Sequence, residues 1–232
     1  MNTPEIALVD LVFVLLPALA VIVVLAKWSL DAKNALYAFA RMLGQLLLIG
    51  YFLTFLFETE HSWVVLLVLG VMVAASSWIA LSSVKPRRAG LYRHAFVSIA
   101  VGGGITLVAV TAGVLKIEPW FEPRYMIPLA GMIFANAMNS VSLAADRFYA
   151  EVDRGETPLA ARRVALQTSL IPIMNSLFAV GLVSIPGMMT GQILSGVTPF
   201  VASRYQIMVM LMIFASAGLS SVSFLWLTNR DK

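Results

Sequence analysis

The sequence predicts an all-α fold, a polytopic bundle of about seven membrane-spanning helices with the N-terminus outside and the C-terminus in the cytoplasm. Three observations carry that prediction. Of the 232 residues, 60% are apolar and only 12% charged, against about 45–50% and 25% in soluble domains. Several apolar runs reach the roughly 18 residues that read as a membrane span. Thirteen of the 16 lysines and arginines fall on one side once the spans are drawn, as the positive-inside rule requires of cytoplasmic loops.

The runs lie at about 6–26, 36–57, 63–83, 95–115, 126–145, 170–195 and 206–228. Each reads as a helix, because a helix satisfies its own backbone in lipid and none shows the alternation of a membrane barrel. The first run carries Glu5 and Asp10 ahead of it with no basic residue, and it is too long for a signal-peptide core, so it reads as a retained span. With seven spans, Lys27, Lys33, Arg41, Lys85, Arg87, Arg88, Arg93, Arg147, Arg154, Arg162, Arg163, Arg230 and Lys232 share one side. Lys116, Arg124 and Arg204 take the other. The net charge of +4 is therefore a topology signal, and no nucleic-acid partner need be invoked. The whole chain, 1–232, reads as a single membrane domain with one long cytoplasmic connector at about 146–169.

That connector is the most polar segment. Thr157 reads as a helix N-cap with Pro158 at the first helical position, just after Gly155. Leu159, Arg162, Arg163 and Leu166 then fall on one face, fit to dock a soluble partner or to lie along anionic lipid. In the sixth run, Pro186 and Gly187 predict a kink or break near mid-run, whose freed carbonyls could line a path. Gly187 and Gly191 form a GxxxG pair that would let two helices approach closely.

Polar residues inside the runs are the candidates for a substrate path. Met132, Asn136 and Asn139 share a face of the fifth run, and Asn175 of the sixth is a plausible neighbour. Ser184, Met188 and Met189 flank the kink; thioethers bind soft metal ions but are also ordinary apolar filler. Arg41 and Gln45 lie one turn apart at the end of the second run, where Arg41 either snorkels to the interface or meets an anion. No metal ligand set is legible. The chain has no Cys and two His, which excludes disulfides and thiolate sites. It has no phosphate-binding loop, no H-E-x-x-H and no Schiff-base lysine in the last run, so it reads as a non-catalytic subunit.

Four blocks resemble the FetB/YbbM-type permeases of ABC transporters, to which plant aluminium-tolerance permeases are also similar. They are Ile127-Pro-Leu-Ala-Gly-Met-Ile-Phe-Ala-Asn-Ala-Met138, Leu170-Ile-Pro172, Val180-Gly-Leu-Val-Ser-Ile-Pro-Gly-Met-Met-Thr-Gly191 and Arg204-Tyr-Gln-Ile-Met208. Arg41, Gln45 and Gly50-Tyr51 form a weaker fifth. The resemblance implies a plasma-membrane permease with no cofactor of its own, paired with a cytoplasmic ATPase that holds ATP and Mg, as two permeases and two ATPases. It also implies that the segment with Gly155, Thr157 and Pro158 receives the ATPase's motion. Bacterial members are associated with iron export and plant relatives with sugar-nucleotide transport. The competing reading is an ATP-independent channel or structural membrane subunit.

Overall fold

The computed structural model describes residues 7–230; Glu5 and Lys232, used in the charge assignment, lie outside the described residues. Eight α-helices follow in order: α1 (Val12–Lys27), α2 (Ala32–Phe57), α3 (Ser62–Ala80), α4 (Arg88–Val108), α5 (Pro123–Asp153), α6 (Pro158–Ala179), α7 (Gly187–Leu194) and α8 (Pro199–Arg230). Short 3-10 turns precede α1 and α4, and a π-helical turn, Ala109–Val114, continues α4. Among the described residues there is no strand, only an isolated bridge between Val180 and Ser184.

Among the described residues six segments are long and apolar enough to cross a membrane: Val9–Lys27, Ala32–Phe57, Ser62–Ala80, Lys85–Val114, Pro123–Asp153 and Pro199–Thr228. Six of the seven expected runs fall within or largely overlap them. The seventh, 170–195, does not form one helix. It is divided between α6 and α7 by seven residues, 180–186, outside any helix. Within the connector expected at about 146–169, α5 stays helical to Asp153 and α6 begins at Pro158, the helix start read from Thr157 and Pro158. Only Arg154–Thr157 is loop. Polar composition there marks where the chain leaves hydrocarbon, and a helix can continue into water as readily as a loop.

The described residues fall into two compact units, one within Met1–Thr59 and one within Glu60–Lys232. In the first, α1 and α2 form a hairpin whose turn is set by Asp31, which accepts from the Asn34 N–H at 3.0 Å as the N-cap of α2. Helix α1 buries no residue within the chain, as expected of an all-round apolar helix surrounded by lipid.

In the second unit α5 is the central helix, touching α3, α4, α6 and α8. At 31 residues it is about 46 Å long, well beyond a hydrocarbon core of about 30 Å. Its seams are lined by small residues: Ala130, Ala137, Ala144 and Ala145 are all fully buried. Without a hydrophobic drive between helices in lipid, close backbone approach is what holds them, and small side chains permit it. The tightest approach is between α4 and α8. A Cβ at Gly102 would stand 2.5 Å from Ser220 Oγ and 2.6 Å from Ser220 N. Gly102, against Ser220, and Gly103, against Phe134, are thus helix-packing positions.

Helix directions follow from these pairs. Ser140 of α5 meets Ser221 of α8 at 2.7 Å, and Tyr125 shares a cavity with Tyr205, so α5 and α8 run parallel. Arg87, just ahead of α4, pairs with Asp153 at the end of α5, while Gly103 faces Phe134, so α4 runs antiparallel to both. Lys85, Arg87, Arg88, Arg147 and Arg154 therefore gather at one end of this unit, as the charge assignment expects.

Candidate functional site

Three places in the second unit concentrate polar chemistry: the basic hairpin tip, a crevice between α5 and α6, and the broken segment with its cavity.

The hairpin tip follows from local sequence. Gly155 has φ +92°, a left-handed conformation that glycine adopts without strain, and it turns the chain after α5. Thr157 then caps α6, its Oγ1 accepting from the Ala160 N–H at 3.3 Å, with Pro158 at the first position. This matches the expected helix start. Glu151 is buried here, 2.6 Å from Arg147 and 3.2 Å from Arg154, and its carbonyl accepts from the Glu156 N–H. Arg87 grips Asp153 through two bonds of 3.1 and 2.8 Å and lies 4.4 Å over the Tyr149 ring. Arg88 covers the Trp78 ring and donates to the Trp78 carbonyl. Arg87 thus braces the end of α5 against the start of α4, and Arg88 ties α4 to α3. Of the face expected of Leu159, Arg162, Arg163 and Leu166 for docking, Leu166 is partly buried against the core. Ala161, Ala165, Ser169 and Ile173 face inward, while Arg163 and Leu159 are exposed and Arg162 is half-buried.

The crevice, about 100 Å³, is lined by Asn136, Asn139, Ser140, Ser169, Pro172 and Ser176, among others. Asn175 is absent from it and lies on the exposed side of α6, which corrects the expected neighbourhood. Asn136 does not bond across helices either; its Nδ2 donates to the Met132 carbonyl of its own helix at 2.9 Å. Serine supplies the interhelical bonds instead. Ser140 Oγ donates to the Ser169 carbonyl at 3.2 Å, with Ser221 Oγ at 2.7 Å.

Of the kink or break that Pro186 and Gly187 predict, the structure has the break, a full interruption over 180–186. Gly181 has φ +82° and donates to the Ser184 carbonyl, while Leu182, Val183 and Ser184 all turn back to the Ala179 carbonyl. Pro186 stands directly before α7, whose first turn has no side-chain cap. Ser184, Pro186 and Met189 line a cavity of about 460 Å³ with Gln206, Met210 and Ser203 of the neighbouring helix. Met188 points elsewhere, into a cavity of about 590 Å³ with Met132, Met208 and Gln192. Gly187 and Gly191 face open space, so they form no close helix contact within the chain. Arg41 and Gln45, in the first unit, are exposed on α2. Among the described residues no three of His, Asp and Glu gather to hold a metal.

Three polar residues escape the sequence reading. Glu151 looked like one charge among many in a polar connector. Gln206 is 5% exposed, and its Oε1, like that of Gln192, is buried with no hydrogen-bond partner. A glutamine within the apolar run 206–228, in the block Arg204–Met208, was the available signal.

Six membrane-length helices, five of the eight helices packed through small residues, and polar groups kept at seams and at a helix break define a multi-pass membrane protein. The chain belongs to the family described as uncharacterised protein family UPF0014, whose model matches residues 7–231. UPF0014 membrane protein slr1647 of Synechocystis sp. (strain ATCC 27184 / PCC 6803 / Kazusa) is 37% identical over 203 residues, 81% of this chain and 78% of the relative. The protein of Escherichia coli (strain K12) named "Probable iron export permease protein FetB" is 33% identical over 247 aligned residues, 99% of this chain and 93% of the relative. Protein ALUMINUM SENSITIVE 3 of Arabidopsis thaliana is 34% identical over 234, covering 91% and 84%. No solved structure matches the chain.

Proposed function

We propose that this chain is the transmembrane permease subunit of an ATP-driven ABC transporter in the plasma membrane, exporting a metal ion, iron, with a separate cytoplasmic ATPase. The observation that carries the reading is the likeness along nearly the whole chain to FetB of Escherichia coli, a protein named for iron export. The braced α5–α6 hairpin supports it. A basic, capped tip tied to the central helix is a lever on which a soluble partner could push. ATP and Mg belong to that partner, none to this chain, and two permeases join two ATPases.

In this reading the basic end faces the cytoplasm and α6, the break and α7 together make one interrupted crossing. The parallel run of α5 and α8 supports that, since the chain between them must return once. The N-terminus is then outside and the C-terminus inside. Alternating access follows from the continuity of α6. It runs about 33 Å from Pro158 to Ala179, with Pro172 inside it, so a push on Gly155, Thr157, Arg162 and Arg163 is carried along the helix by tilting or by bending at Pro172. The segment 180–186 takes up the angle against α7, and the cavities beside Met132, Ser184, Met188 and Met189 open or close.

The test is transport by the permease reconstituted with its ATPase, assaying ferrous iron, other metals and nucleotide sugars side by side. ATP-dependent iron flux is the expected outcome. Flux of nucleotide sugar alone would keep the permease and change the substrate. A native assembly lacking any nucleotide-hydrolysing chain would favour the ATP-independent channel.

A further inference from the structure

We propose that the cavity of about 590 Å³ at the outer end of the bundle takes the exported metal as an anionic chelate, an iron complex of an oxygen-rich organic acid, and not as a bare ion. The inference rests on the export reading above and adds the chemical form in which the metal leaves. It starts from the sign of the charge. Among the described residues, Arg124 is the one charged side chain that lines this cavity. It is exposed and forms no salt bridge with a described acid, so its guanidinium is free to meet a ligand. Helices α5 and α8 run parallel and both begin at this end, so the positive ends of two helix dipoles add to that charge.

A bare cation meets the opposite of what it needs there. Leaving water requires replacement ligands, and iron is held by imidazole and carboxylate. The lining has neither. Met132, Met188 and Met208 do line the cavity, but thioethers select softer ions. A cation would also lie near an unpaired guanidinium, and the repulsion of like charges grows as water is excluded. A metal that arrives with its ligands already bound avoids each of these costs. The chelator supplies the donor atoms and reverses the sign of the charge.

Size and polar groups fit such a complex. Cavities of roughly 300–1,000 Å³ suit small organic ligands, whereas a lone ion would leave nearly all of this space to water. Arg124 can hold a carboxylate through two parallel hydrogen bonds. The hydroxyls of Tyr125 and Tyr205, which also line the cavity, make no hydrogen bond with a described residue and can donate to further carboxylate oxygens. Gln192 Oε1 is buried without a partner and can accept from the hydroxyl of a hydroxy acid.

The full chain with its ATPase is placed in lipid nanodiscs, and binding is measured by equilibrium dialysis. Radiolabelled iron is offered as ferric citrate or as ferrous chloride, and radiolabelled citrate alone is the third probe. The expected result is retention of ferric citrate, with ferrous ion and citrate each held at least tenfold more weakly. Arg124→Ala should weaken ferric citrate at least tenfold, Arg124→Lys should keep most of the binding, and Arg124→Glu should abolish it. Arg124 is exposed, so these variants leave the packing of the bundle intact, as an unchanged size-exclusion profile would show. Ferrous ion held more tightly by Arg124→Glu than by the unaltered protein would overturn the inference, because a cation gains from that change. So would binding indifferent to residue 124, or citrate held as tightly as its iron complex. Proteoliposomes of the same complex separate this inference from the export reading. ATP-dependent iron flux without chelate binding refutes only the chelate, whereas chelate binding without any ATP-dependent flux refutes export and leaves the cavity assigned.

Discussion

Gly102→Ala tests whether the α4–α8 crossing holds the second unit together. The new methyl would stand 2.6 Å from the Ser220 backbone nitrogen and 3.0 Å from the Leu219 carbonyl carbon. Ordinary contact begins near 3.4 Å, so the helices must part by about 0.8 Å, and backbone atoms cannot rotate away as a side chain would. Overpacking of this kind costs about 1–3 kcal/mol, partly offset by the roughly 0.8–1.0 kcal/mol that alanine gains over glycine in a helix. The net loss is up to about 2 kcal/mol. Gly104→Ala is the internal comparison, since its Cβ meets nothing within 4 Å and should be neutral or stabilising. Both variants gain the helix term, so they should separate by the overpacking cost, roughly 1–3 kcal/mol, read as a difference in unfolding midpoint on titration with SDS in mixed micelles. Ser220→Ala should not rescue Gly102→Ala, because the backbone clash remains. If Gly102→Ala is as stable as Gly104→Ala, the close crossing is not a feature of the folded protein.

Glu151→Gln weakens the charged bonds that Arg147 and Arg154 make at the hairpin tip, worth about 1.5–3 kcal/mol locally, and tryptic cleavage at Arg154 should quicken by tenfold or more. Thr157→Ala removes the α6 cap and should cost about 1 kcal/mol of stability, with Thr157→Ser restoring most of it. Pro186→Leu should leave expression and ATPase binding intact while abolishing substrate-stimulated ATP hydrolysis in proteoliposomes; unchanged stimulation would count against the break as the joint. Replacing Arg162 and Arg163 together by Glu should reduce recovery of the ATPase in a pull-down, and undiminished recovery would assign that face to lipid.

Hydropathy found the membrane segments because it reports solvent preference, a property that each residue carries with it. Hydropathy alone does not divide 170–195, because the interruption is a matter of hydrogen bonding: Leu182, Val183 and Ile185 are as apolar as any helical neighbour. Pro186 and Gly187 marked the place but not the extent. The capping residues Thr157 and Pro158 were legible since a cap is made by residues three positions apart. Asn175 was misplaced for the opposite reason. Which side of α6 faces α5 is decided by Ala161, Ala165 and Ser169, whose small size matters only against a partner helix.

From the sequence alone came the membrane habitat, the helical class, the sidedness of charge and the capped start of α6, all consequences of local composition or short spacing. Only the tertiary structure decided that Gly102 packs on Ser220, that Glu151 is enclosed by two arginines, and that Met188 and Met189 open into different cavities. Those depend on distances between residues far apart in the chain, and close packing fixes such distances to tenths of an ångström while leaving no mark on composition.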